Sequence, residues 1–223
     1  MLGLRGVSRA EIEVLLSTAA RMRQVGERRI KKVPTLRGRL VVSLFFENST
    51  RTRNSFELAA KRLSADTLNF SVSTSSTAKG ETLMDTARNI HAMQPDCIVI
   101  RHGFAGAPTL LARCFPFSVI NAGDGINEHP SQALLDMLTL CDRWGSLDGR
   151  TVAIVGDVQH SRVARSNIFG LTTMGARVLV AGPGTMCRRE LSGLPVERRH
   201  TIDEIVGEAD AISVVGTYTK GYG

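Results

Sequence analysis

Apolar positions along the chain switch between two spacings, and the switching predicts the elements. Ile12, Leu15, Leu16, Ala19 and Met22 recur three and four residues apart, the spacing of one helix face. Ser8 and Glu11 precede that run as a capping box, and Gly26 is expected to stop it. Residues 40–46 form a short apolar run interrupted only by Ser43, the pattern of a buried strand. A helix is expected from near Thr50, with Phe56, Ala59, Ala60 and Leu63 on one face. The alternation continues with a strand over 67–72, a polar loop over 73–79, a helix over 81–93, a strand over 96–101, a helix over 109–114, a strand over 118–121 and a helix over 130–144.

Gly145-Ser146-Leu147-Asp148-Gly149 then breaks the pattern with polar and glycine residues, and a domain boundary is expected there. Beyond it come a strand over 151–155, a helix over 162–174, a strand over 177–180, a helix over 202–207 and a strand over 211–215. Strand–helix alternation of this kind gives parallel sheets covered on both faces. The fold class is therefore α/β, with two doubly wound parallel-sheet domains over 1–145 and 146–223, the second expected to be incomplete.

Composition narrows the classes. Hydrophobic residues make up 43% and charged residues 22% of the 223, ordinary values for a globular chain. No run approaches the roughly 20 apolar residues of a membrane span, and the N-terminus lacks the apolar core of a signal peptide, so a cytoplasmic protein with no membrane partner is expected. The four cysteines, Cys97, Cys114, Cys141 and Cys187, have no zinc-site spacing, and no metal is expected. The net charge of +7 is concentrated between Arg21 and Arg39. No aromatic residue interleaves that run and no nucleic-acid motif accompanies it, so it reads as a solvated face. Basic character also suits a protein whose ligands are anions.

Ser49-Thr50-Arg51-Thr52 falls where a strand gives way to a helix. The first N–H groups of a helix lack internal partners and the dipole adds positive potential, which makes such a corner an anion site. Three hydroxyls and an arginine add donors. A plain N-cap accounts for the same residues, because Ser and Thr are common caps.

Phe46-Glu47-Asn48-Ser49-Thr50-Arg51-Thr52 resembles the carbamoyl-phosphate signature of the transcarbamoylases. Lys79-Gly80-Glu81-Thr82, Arg101-His102, Asn121-Ala122-Gly123-Asp124-Gly125 and His129-Pro130-Ser131-Gln132 follow in that family's order. The resemblance runs from the N-terminus to about Val215. It implies transfer of a carbamoyl group from carbamoyl phosphate to the amine of L-aspartate, giving N-carbamoyl-L-aspartate and phosphate, a step of pyrimidine synthesis. It further implies that Ser49, Thr50, Arg51 and Thr52 hold the phosphate, that Thr52, Arg101 and His129 surround the carbamoyl oxygen, and that Gln132 binds the carbamoyl amide. Ser75 and Lys79 match positions of a loop that reaches a neighbouring subunit's site, which implies a homotrimer. Regulatory or dihydroorotase-type subunits are further partners known in the family. Arg162 matches a residue that holds an aspartate carboxylate.

Within the family the ornithine enzyme shares the Ser-Thr-Arg-Thr corner but usually carries Cys where this chain has Ser131, and an arginine at 162 suits a dicarboxylate acceptor better than a cationic one. Aspartate is therefore the expected acceptor, with ornithine as the alternative. Val155-Gly156-Asp157 is similar to a nucleotide-fold turn, but no GxGxxG follows, so no NAD and no other cofactor is expected. After residue 215 the family pattern asks for a Leu-Arg-x-Gln-like segment, and residues 216–223 do not supply it. The chain is expected to lack the C-terminal part of the aspartate domain. A carbamoyl-phosphate-binding relative without catalysis, or an inactive shortened chain, is the alternative from another functional class.

Overall fold

The computed structural model describes residues 1–71, 82–187 and 193–216. In chain order the elements are α1 (Arg9–Glu27), β1 (Leu40–Phe45), α2 (Thr50–Arg62), β2 (Asp66–Ser71), α3 (Leu83–His91), β3 (Cys97–His102), α4 (Ala107–Cys114), β4 (Ser118–Asp124), α5 (Pro130–Trp144), β5 (Thr151–Gly156), α6 (Arg162–Thr173), β6 (Arg177–Ala181), β7 (Glu197–Arg198), α7 (Ile202–Val206) and β8 (Ala211–Val215). The capping box that starts α1 forms: the Glu11 carboxylate accepts the Ser8 N–H at 2.9 Å, and Ser8 Oγ accepts the Glu11 N–H at 3.3 Å. Gly26 does not end that helix, which includes it and runs to Glu27.

The chain divides into two compact units. One comprises Met1–Leu2 and Arg21–Gly125, the other Gly3–Ala20 and Ile126–Gly223. Unit 1 holds a four-stranded sheet in the order β2-β1-β3-β4, with every pairing parallel. Both its faces are apolar, as the unbroken strand runs predicted. Val42 and Leu44 of β1 and Ile98 and Ile100 of β3 pack with Ala87 and Ile90 of α3 and Leu111 of α4. Val41 and Phe45 of β1 and Val99 of β3 point the other way, onto Ala60 of α2.

Unit 2 repeats the plan with the order β7-β6-β5-β8, again all parallel. Val152, Ile154, Val178 and Val180 meet α5 and α6 on one face, together with Leu4, Ile12 and Leu16 from the N-terminal segment. Ala153, Leu179 and Ala181 meet Ile205 of α7 on the other. α5 joins this unit because Ala133 and Met137 are fully buried in its core. The division by contacts accordingly falls at 125/126, ahead of the glycine-bearing break at 145–149. Close approach is built in: a Cβ on Gly170 of α6 would stand 2.7 Å from Met137 Cε, and one on Gly156, whose φ is +120°, would run into the Val215 carbonyl. The two-residue strand β7 is an addition to the pattern read from sequence.

Candidate active site

In an open parallel sheet, ligands bind beyond the strand C-termini where the strand order reverses. In unit 1 that place lies between β1 and β3. β1 leads through Phe46–Ser49 into α2, and the Phe46 N–H donates to the Arg101 carbonyl at 2.9 Å, tying the two strand ends together. Ser49 is the N-cap of α2, with φ −156° and ψ 81°, and its side chain makes no cap hydrogen bond. Three other caps among the described residues are closed by their side chains. Thr82 and Asp85 form a full capping box, Ser161 Oγ accepts the Ala164 N–H at 3.2 Å, and Thr201 Oγ1 accepts the Glu204 N–H at 3.3 Å. Thr50 and Arg51 are exposed at the first turn, and Thr52 is half-buried. The plain N-cap reading of Ser49 therefore fails on geometry, and the first N–H groups of α2 are left to an outside acceptor.

Arg101 stands at the end of β3. Its Nη1 donates to the Ala122 carbonyl at 3.2 Å and its Nε lies 3.4 Å from Glu47 Oε2, with both side chains almost wholly buried. Two fixed anchors hold the guanidinium in one orientation. His102 follows, buried against the Phe46 ring with centroids 4.6 Å apart, and its Nδ1 accepts the Phe104 N–H at 2.9 Å. Burial pushes the His102 imidazole below its ordinary range, and the nearby Glu47 charge works against that shift. The residues flanking Ala122 are tied down in turn. Asn121 Nδ2 donates to the Leu2 carbonyl at 2.9 Å and to Asp124 Oδ1 at 2.8 Å, and the Asp124 carboxylate also accepts the Gly106 N–H at 2.7 Å at the start of α4.

In unit 2 the side chains singled out from sequence lie at helix starts. His129 is the N-cap of α5 and is 6% exposed. Its N–H donates to Ser166 Oγ of α6 at 2.9 Å, and the Ser131 hydroxyl lies 3.3 Å from its Nδ1. Gln132, one turn on, donates to Asp136 Oδ1 at 3.0 Å, and Asn167 of α6 donates to Asp136 Oδ2 at 2.8 Å. Arg162 opens α6 and is 7% exposed. A buried cation at a helix N-terminus stands against both the dipole and the cost of desolvation. Just before it, buried Asp157 accepts the His160 N–H at 3.2 Å and pairs with His160 Nδ1 at 2.8 Å.

Of the residues expected from sequence, Ser49, Thr50, Arg51 and Thr52 lie at the start of α2 and Arg101 near the end of β3, all in unit 1. His129, Gln132 and Arg162 lie at the starts of α5 and α6 in unit 2. Ser75 and Lys79 fall outside the described residues. Sequence reading gave no role to Glu47, Asp124, Glu128 or Ser166, all of which fix a neighbour. Glu47, Asp124 and Glu128 sit within or directly beside the quoted motifs, a position that could have flagged them. Among the described residues, no three His, Cys, Asp or Glu side chains come together as a metal set, and no helix is long and apolar enough to cross a membrane.

The chain is an α/β protein of the doubly wound parallel-sheet class, and in unit 1 an open helix N-terminus and an anchored arginine stand at the switch point. Residues 1–142 match the model of the aspartate/ornithine carbamoyltransferase carbamoyl-P binding domain, and the chain belongs to that carbamoyltransferase family. It is 64% identical over 186 residues to the aspartate carbamoyltransferase catalytic subunit of Geotalea uraniireducens, covering 83% of this chain and 60% of that one. It is 56% identical over 220 residues to the catalytic subunit of Syntrophus aciditrophicus, covering 99% and 72%. Aspartate transcarbamoylase of Trypanosoma cruzi in complex with N-(phosphonacetyl)-L-aspartic acid superposes with a TM-score of 0.87 at 31% identity, over 99% of this chain and 75% of that one. The same enzyme with carbamoyl phosphate and aspartate gives 0.84 at 32% identity, over 96% and 71%. The chain thus spans about 60% of the length of the first of these curated relatives.

Proposed function

We propose that the chain serves the transfer of the carbamoyl group of carbamoyl phosphate to the amine of L-aspartate. The amine nitrogen attacks the carbonyl carbon and a C–N bond forms. The C–O bond to phosphate breaks, the amine loses a proton, and N-carbamoyl-L-aspartate and phosphate result. No covalent enzyme intermediate is needed, so the work is positioning and charge stabilisation. Ser49, Thr50, Arg51 and Thr52 take the phosphate. Arg101, oriented by Glu47 and the Ala122 carbonyl, is assigned to the carbonyl oxygen, where negative charge grows, and so are Thr52 and His129. Gln132 takes the carbamoyl amide and Arg162 an aspartate carboxylate. The domain over 1–145 is assigned to carbamoyl phosphate and that over 146–223 to aspartate. A cytoplasmic homotrimer, with Ser75 and Lys79 lent to a neighbour's site, completes the reading.

The observation that carries it is the open cap of α2, where Ser49 leaves its helix donors unspent beside Arg51. The names of the relatives and Ser131 support aspartate over ornithine. The purified chain, incubated with carbamoyl phosphate and either L-aspartate or L-ornithine and assayed for ureido product, tests it. Product with aspartate alone is expected. Product with ornithine overturns the acceptor, and no product from either amine with carbamoyl phosphate still bound makes the chain a binding protein.

A further inference from the structure

Behind His129 lies a connected set of buried groups. The Glu128 carboxylate is 4% exposed. Its Oε2 accepts the Leu4 N–H at 2.6 Å and the Ser166 hydroxyl at 2.9 Å, and its Oε1 accepts the Arg5 N–H at 3.3 Å. Ser166, fully buried on α6, spends its proton on Glu128, so its oxygen is left to accept, and it accepts the His129 N–H at 2.9 Å. Because the serine donates in one direction and accepts from the other, the polarity of the chain is fixed from the carboxylate to the histidine backbone.

We propose that Ser166, set by the Glu128 carboxylate, is a positioning residue for His129, and that the N-terminal segment at Gly3–Arg5 is coupled to His129 through the same carboxylate. The inference rests on the role given to His129 above. Its physical content is separate from that role: an N-cap residue has non-helical dihedrals that its own helix does not enforce, so an external acceptor for its N–H sets where the imidazole begins. Gly3 gives the coupling a handle far from the histidine in sequence. A Cβ there would collide with the Glu128 carboxylate, standing 2.6 Å from its Cδ and closer still to Oε1. The Gly3 φ lies outside the left-handed region, so an alanine acts through that contact and not through backbone strain.

The test labels the five histidines with 15N and follows the His129 amide and ring resonances at fixed pH in the full chain. Binding of inorganic phosphate and of phosphonoacetamide, which adds an amide carbonyl, is measured in parallel. Ser166→Ala and Gly3→Ala are expected to move the His129 resonances and to leave those of His91 and His200 in place. Each should weaken phosphonoacetamide about tenfold, the worth of one well-placed hydrogen bond, with phosphate affinity unchanged. Glu128→Gln keeps an acceptor for Ser166 and should largely preserve the His129 signals, whereas Glu128→Ala should not. Unmoved His129 resonances in folded Ser166→Ala overturn the proposal. Should that variant fail to fold, unmoved resonances in Gly3→Ala do the same. Moved resonances with no phosphonoacetamide binding by the unaltered chain would instead sustain the positioning and sink the assignment of His129 to the carbonyl.

Discussion

The chain makes two strand-to-helix corners that read alike and are built in opposite ways. At the first, β1 turns into α2 without a glycine, Ser49 caps the helix without using its side chain, and the arginine of the first turn is exposed. At the second, β5 turns into α6 through Gly156 at φ +120°, packed against the Val215 carbonyl. There Ser161 closes its cap on the Ala164 N–H, and the arginine of the first turn is buried. A serine just ahead of an arginine at a helix start thus closes its cap in one place and leaves it open in the other. Under the function proposed above the open corner takes the phosphate, while the closed one stabilises its helix and still lends Arg162 to an aspartate carboxylate.

Substitutions at matching positions should separate the two roles. The largest effect is expected from Gly156→Ala, which adds a collision with backbone to a left-handed strain and should cost about 3 kcal/mol or more in denaturant unfolding. No residue of the first corner should cost as much. Arg51→Ala comes next: losing a charged two-oxygen contact should weaken phosphate binding about a hundredfold by calorimetry while the unfolding midpoint stays put. Ser161→Ala should lower stability by about 1 kcal/mol and leave phosphate affinity unchanged. Ser49→Ala should reverse that result, with a stability change of a few tenths of a kcal/mol and phosphate affinity down about tenfold. If Ser49→Ala destabilises as much as Ser161→Ala, the distinction between the corners collapses.

The gentlest separation is by pH. The folded His102 imidazole sits below its unfolded value because it is buried. On acidification the unfolded chain binds that proton first, so unit 1 should lose stability as pH falls below the ordinary imidazole range and through the folded value. In unit 2, the Arg177 guanidinium holds the exposed Glu197 carboxyl down from its ordinary 4.5 to about 2. That contribution is whole above 4.5 and fades as pH falls from there to about 2. Amide exchange read unit by unit should show unit 1 loosening at the higher pH, and His102→Phe should remove that step.

Much of this was legible because parallel strands buried on both faces write themselves as apolar runs: residues 40–46, 96–101 and 151–155 are all strands. β7 was not, because Glu197 and Arg198 are exposed and polar and are strands only through their pairing with Leu179 and Val180. The division by contacts falls at 125/126, ahead of the glycine break at 145–149, for a related reason. Chain punctuation records where an element stops, while Met137 and Ala133 belong where their side chains are buried. Residues suited to an anion announce themselves by type, as the hydroxyls and guanidinium of Ser49 to Thr52 do. Their supports do not. Glu128 and Ser166 look like surface residues in the sequence, and only the fold places them both out of water against one histidine.

Residues 3–20 belong to unit 2, although unit 1 is read out before the rest of that unit. During synthesis, Leu4, Ile12 and Leu16 emerge ahead of unit 1, yet they share a core with Ile168, Val180 and Val215. At about 5–20 residues per second, those partners arrive on the order of ten seconds later. Until then the first helix carries an apolar stripe with nothing native to cover it, while unit 1 has all of its own segments in hand. The nascent chain should therefore mature in the order of its second segment before its first, and the N-terminal helix is where a ribosome-associated chaperone would find its longest-lived foothold.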